Sequence, residues 1–117
     1  MAKAALLLVD DDEMSSQILV YILSDEGYEA DMAPTGAKAV EKFAAKHYDL
    51  VLLDYMLPDM MGHEVARRIK AMSPEARIIL LSGYTKNGDG ADNLYKRVLL
   101  KPVPPDIIMS TISEVLG

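Results

Sequence analysis

The chain contains no cysteine. Disulfides, thiolate catalysis and cysteine-based zinc sites are therefore excluded. No apolar stretch approaches the roughly 20 residues that a bilayer crossing needs. The start, Met1-Ala2-Lys3, leads at once into an apolar run and leaves no room for a signal peptide. These absences predict a cytoplasmic protein without a membrane contact. Excess positive charge is lacking too, since the net charge is −6. An acidic domain without a basic stripe is a poor candidate for binding nucleic acid directly. The densest basic cluster, Arg67-Arg68 with Lys70, reads as one solvated helix face. Repeats, low-complexity segments and internal linkers are absent as well. What the chain does have is apolar side chains, half of its 117 residues. That suffices for one globular domain with a real core, over residues 1–117, and is too little for two.

Strand and helix signals alternate along it. Four aliphatic runs stand out: Leu6-Leu7-Leu8-Val9, Leu50-Val51-Leu52-Leu53, Ile78-Ile79-Leu80-Leu81 and Val98-Leu99-Leu100. Runs of that kind read as strands buried on both faces, the mark of a parallel sheet. A fifth strand, from Tyr28 to Met32, alternates apolar and polar residues and suits a sheet edge. Between the strands, Met14, Ile18 and Ile22, with Leu19 and Leu23, predict a first helix. Asp12 or Ser15 is placed to cap it and Gly27 to end it. Pro34-Thr35 opens a second helix with Ala37, Val40, Phe43 and Ala44 on one side. A third carries Val65, Ile69 and Met72 after a loop held by Pro58 and Gly62. The glycine-rich stretch after Ser82 predicts a mobile loop and a short or frayed fourth helix. Pro104-Pro105-Asp106 starts a last one, with Ile108, Ile112, Val115 and Leu116 inward. Five strands alternating with five helices make a doubly wound α/β domain.

Chemistry-bearing residues follow directly on the aliphatic runs. They are Asp10-Asp11, Asp54, Ser82 and Lys101. In open parallel sheets ligands bind outside the carboxyl ends of the strands. Carboxylates, a hydroxyl and an ammonium then converge at one sheet edge. Crowded carboxylates repel, and a hard divalent ion removes the conflict. Magnesium, which takes few carboxylates, some carbonyls and several waters, suits such an open cleft. A carboxylate also accepts a phosphoryl group, provided that donors neutralise the remaining oxygens. Asp12 and Glu13 have a simpler role at the helix N-terminus. His47 and His63 are read as neither catalytic nor metal-binding.

Taken together, Val9-Asp10-Asp11-Asp12, Asp54-Tyr55-Met56-Leu57-Pro58 with Gly62, Leu81-Ser82-Gly83 and Lys101-Pro102 resemble the receiver domain of two-component response regulators, over essentially the whole chain. The resemblance implies a flavodoxin-like (βα)5 fold with sheet order 2-1-3-4-5. It implies that Asp54 is the phospho-acceptor, Asp11 a direct Mg2+ ligand and Asp10 a ligand acting mainly through water. The Met56 backbone carbonyl completes the protein's share of the coordination. Ser82 becomes the switch hydroxyl, Lys101 its cationic partner, and the Lys101-Pro102 bond is cis. The phosphodonor is a histidine kinase or phosphotransfer protein. The output is a downstream protein or a fused output domain, addressed through the face of the fourth helix, fifth strand and fifth helix. A domain of this kind is a signalling switch rather than an enzyme with turnover.

Two features depart from the pattern, and a third narrows it. Val98 stands where receivers commonly place Tyr or Phe on the fifth strand, and valine has no ring to bury and is stiff at χ1. Tyr95 and Tyr84 are the aromatic substitutes at hand. Met56 and Tyr84, two residues after Asp54 and Ser82, are bulky beside the path of a hydrolytic water, which predicts slow loss of the phosphoryl group. Leu81-Ser82-Gly83-Tyr84 looks like receivers fused to sensor kinases. Two rivals remain open at this point. Asp10-x-Asp12 imitates a haloacid-dehalogenase-type phosphohydrolase, although the chain lacks length for a cap or a later acidic pair. A pseudo-receiver that works without phosphorylation is kept alive by Val98.

Overall fold

Aliphatic side chains on both faces of a strand are stable only between two layers of helix, and that requirement sets the centre of this molecule. The computed structural model describes residues 3–83 and 94–117. Strands β1 (Ala5–Val9), β2 (Glu29–Ala33), β3 (Leu50–Asp54), β4 (Ile78–Ser82) and β5 (Arg97–Leu100) form one parallel sheet in the order β2-β1-β3-β4-β5. This is the expected order. Among the described residues the helices are α1 (Glu13–Asp25), α2 (Gly36–Ala45), α3 (Gly62–Met72) and α4 (Pro105–Leu116). The predicted fourth helix falls largely on residues 84–93, outside the described residues, so α4 is the last of the five predicted helices.

Alternate residues of the central strands feed two cores. Leu7, Val9, Val51, Leu53, Ile78 and Leu80 pack with Ala39 of α2 and Val65, Ala66 and Ile69 of α3. Leu6, Leu8, Leu50, Leu52, Ile79 and Leu81 pack with Leu23 of α1 and Ile108 and Ile112 of α4. Full burial of one such side chain is worth about 1.5–3 kcal/mol, so the central strands are firmly held.

Two expectations are corrected here. Strand β5 is not buried on both faces: Val98 and Leu100 are about half exposed. It is the last strand in the sheet order, with β4 on one flank and no strand of the described residues on the other. On α1, Met14 and Ile18 face outward and Ser16, Leu19, Val20 and Leu23 face the sheet side. The helix is apolar almost all round its second half, so periodicity could not choose the face. The caps follow the sequence. Asp12 accepts from the Ser15 N–H at 3.3 Å, Thr35 Oγ1 from the Lys38 N–H at 3.0 Å, and Gly27 leaves α1 at φ +98°. No helix among the described residues is long and apolar enough to cross a membrane.

Candidate functional site

The sheet register brings the reactive residues together. Val9 pairs with Leu53, so Asp10 lies beside Asp54. Asp54 pairs with Leu81 and Ser82 with Leu100, so Ser82 and Lys101 come next in line. The backbone ladder runs one residue past the strands. The Asp10 N–H donates to the Ala33 carbonyl at 3.1 Å, the Tyr55 N–H to Leu81 at 3.0 Å and the Lys101 N–H to Ser82 at 2.7 Å. The side chains are thus mounted where the backbone is still hydrogen-bonded. The Lys101-Pro102 bond is cis, as expected.

One oxygen from each of Asp10, Asp11 and Asp54 lies within 4.8 Å of the others. Lys101 Nζ stands 3.0 Å from Asp54 Oδ1, which is buried, while the lysine is partly exposed. Ser82 is fully buried at the neighbouring strand end. Burial pushes the Asp10 carboxyl up, and the nearby charges of Asp54 and Asp11 act in the same direction. Carboxylate oxygens gathered in this way, in an open cleft, are the donor type that a hard divalent ion such as magnesium takes. Met56, two residues after Asp54, is half exposed and pairs antiparallel with Met61. A cleft of about 590 Å³ between α1 and α4 takes Asp10 and Lys101 into an otherwise largely aliphatic wall.

Other candidates fall away from this cluster. Asp12 serves α1: its Oδ2 also accepts from the Ser15 hydroxyl at 2.9 Å, and the two Ser15 bonds hold its carboxyl below the usual range. His47 sits 3.1 Å from Asp49, and His63 tilts against the Tyr55 ring. Neither belongs to the acidic group. Met60 packs against the core and Met61 is partly exposed. Tyr95 is partly buried against the same core. Tyr84 lies outside the described residues. The sequence reading missed Asp59, which has no sequence neighbour to betray it. Its two oxygens accept the N–H groups of Gly36 and Ala37, both at 2.8 Å.

A doubly wound parallel sheet with an acid pair, a buried aspartate and a lysine at its carboxyl edge defines a class of phosphoryl-transfer switch domains. The response regulator receiver domain model matches residues 6–113, and the chain belongs to that family. It is 32% identical over 111 residues to the autoinducer 1 sensor kinase/phosphatase LuxN of Vibrio campbellii, covering 95% of this chain and 13% of LuxN. It is 32% identical over 115 residues to the transcriptional regulatory protein ZraR of Klebsiella oxytoca, covering 96% of this chain and 26% of ZraR. The chain therefore spans only a small part of these relatives. Among solved structures, the response regulator TrrA of Thermotoga maritima, in complex with Mg2+-BeF, superposes with a TM-score of 0.89. It is 33% identical, with 99% of this chain and 100% of TrrA covered. Chemotaxis protein CheY4 of Vibrio cholerae gives a TM-score of 0.90 at 28% identity, over 98% and 100% of the two chains. Membership makes this a two-component signalling domain, not an enzyme with its own metabolic substrate.

Proposed function

We propose that residues 1–117 act as one receiver unit in which Asp54 accepts a phosphoryl group from a histidine kinase or phosphotransfer protein in the cytoplasm. The transfer breaks the donor's P–N bond and forms a P–O bond to the Asp54 carboxylate. The donor nitrogen keeps the electron pair. The observation that carries this reading is the 3.0 Å contact of Lys101 with Asp54 beside the carboxylates of Asp10 and Asp11. Asp10, Asp11, Asp54 and the Met56 carbonyl would hold Mg2+. When bound, the ion supplies positive charge that offsets the phosphoryl oxygens and the carboxylate crowding. Lys101 orients the acceptor and neutralises part of the roughly −1.5 to −2 charge that phosphorylation adds. Ser82 offers a hydroxyl at the adjoining strand end. The output runs to a downstream protein or fused output domain through the surface of β5 and α4 and the segment before β5. A second reading, an interaction module that is never phosphorylated, draws its support from Val98, half exposed where receivers commonly bury an aromatic ring.

Intact mass after incubation with a small phosphodonor and magnesium separates the two. The expected result is one hydroxylamine-labile phosphoryl adduct that Asp54→Ala and chelator both abolish. No adduct on the wild type would favour the second reading, and an adduct that survives Asp54→Ala would overturn Asp54 as the acceptor.

A further inference from the structure

The loop that follows the acceptor strand is closed at its base. The Gly62 N–H donates to the Tyr55 carbonyl at 2.6 Å, and Met56 pairs with Met61. A Cβ on Gly62 would lie 2.8 Å from the Asp54 carbonyl oxygen and 2.9 Å from the Tyr55 Cα. Only glycine allows the return strand so near the acceptor. The loop's far side is fastened elsewhere. The helix α2 begins with N–H groups that have no partner of their own and with a positive dipole end. Thr35 takes the Lys38 N–H. The Gly36 and Ala37 N–H groups go to the two oxygens of Asp59, 23 and 22 residues further along. Met60 then lies directly over Gly36, where a Cβ would stand 2.5 Å from its Cγ.

Hydrogen bonds to an ionised group are roughly twice as strong as neutral ones. Both oxygens of one carboxylate are used, so the loop is held in orientation as well as in place. Groups behind metal ligands govern how well those ligands are aimed. We propose that Asp59 is a positioning residue: by tying the turn of this loop to the N-terminus of α2, it fixes the main chain at Met56 for the metal. The inference rests on the magnesium site described under the proposed function. Asp59 itself touches neither phosphoryl group nor metal.

The test is a MgCl2 titration of the full 117-residue chain followed by amide NMR, with Asp59→Ala, Asp59→Asn and, as the site control, Asp11→Asn. Asp59→Ala is expected to weaken magnesium affinity about tenfold, the lower end of what loss of a supporting group costs. Asp59→Asn keeps one acceptor oxygen and should fall between. Phosphorylation of Asp59→Ala should be slow at low magnesium and recover at saturating magnesium, which a general loss of stability would not produce. Wild-type affinity in Asp59→Ala overturns the proposal, whatever its melting temperature. If that variant does not fold, wild-type affinity in Asp59→Asn with shifted Gly36 and Ala37 amides overturns it instead. If the wild type shows no Asp11-dependent magnesium response, the metal reading itself fails and Asp59 loses this role with it.

Discussion

Asp10, Asp11 and Asp12 are three identical side chains in a row with three different surroundings. Asp10 is half buried at a strand end, Asp11 is exposed at the acidic cluster, and Asp12 is spent on the first turn of α1. Their neighbour Ser16 shows the reverse situation, a polar group with no visible employment. It is buried on the sheet side of α1, and its hydroxyl finds no hydrogen-bond partner among the described residues. A buried, unsatisfied polar group destabilises, and alanine is the better helix former. Ser16→Ala should therefore raise the unfolding free energy by about 1 kcal/mol in urea titrations. A loss of stability would mean that the hydroxyl is satisfied after all. That Asp54, the acid pair, Ser82 and Lys101 gather at one place was legible from sequence, because each follows an aliphatic run that ends at the same edge. Asp59 was not, since the N–H groups it serves belong to a helix placed beside it only by the fold.

At the level of elements, the sheet's two edges are managed differently. Strand β2 is guarded by charge: Lys46 Nζ reaches Asp31 at 2.9 Å and Glu29 at 3.0 Å, and the Tyr48 hydroxyl donates to Asp31 at 2.7 Å. Charged side chains on an edge strand discourage pairing with another chain, and here Glu29 and Asp31 of β2 supply them, with Lys46 reaching over from the end of α2. Burial and the Asp31 bond push the Tyr48 hydroxyl up to about 12. The Tyr48 and Lys46 contacts hold the Asp31 carboxyl below its ordinary value of 3.8. A group depressed on folding contributes stability above its unfolded value and loses it as pH falls through the folded one. Asp31→Asn should thus cost about 1 kcal/mol at pH 7, and the gap to wild type should shrink by pH 3. Urea unfolding of both proteins at the two pH values checks this, and a gap that does not change with pH counts against it. Strand β5 carries one ion pair, Arg97 with Glu114 at 2.7 Å, and leaves Val98 and Leu100 about half exposed, a difference hidden in the sequence because an aliphatic run reads alike at the centre and at the rim. The same ambiguity put Met14 and Ile18 on one stripe of α1 with the inward Leu19 and Leu23, whereas on α3 the expected Val65 and Ile69 are buried and only Met72, in the last turn, is exposed.

For the molecule as a whole, the proposed magnesium site would tie stability to charge. A chain of net charge −6 that gathers three carboxylate oxygens within 4.8 Å stores repulsion at one end of its sheet. An ion that binds only the folded form stabilises it by mass action, by about 2.7 kcal/mol when free ion stands at 100 times its dissociation constant. Millimolar MgCl2 should accordingly raise the melting temperature of wild type, and chelator should reverse the rise. NaCl of equal ionic strength should not reproduce it, and Asp11→Asn should largely lack it. An equal rise with NaCl would assign the effect to screening. The ladder that continues beyond β1, β3 and β5 has a bearing on how any such event is passed on. Acids and lysine share one hydrogen-bonded floor, and no strand slides under them without breaking its bonds to the next. Whatever leaves this end of the molecule as a message must travel through rotating side chains and the segments lying past that floor.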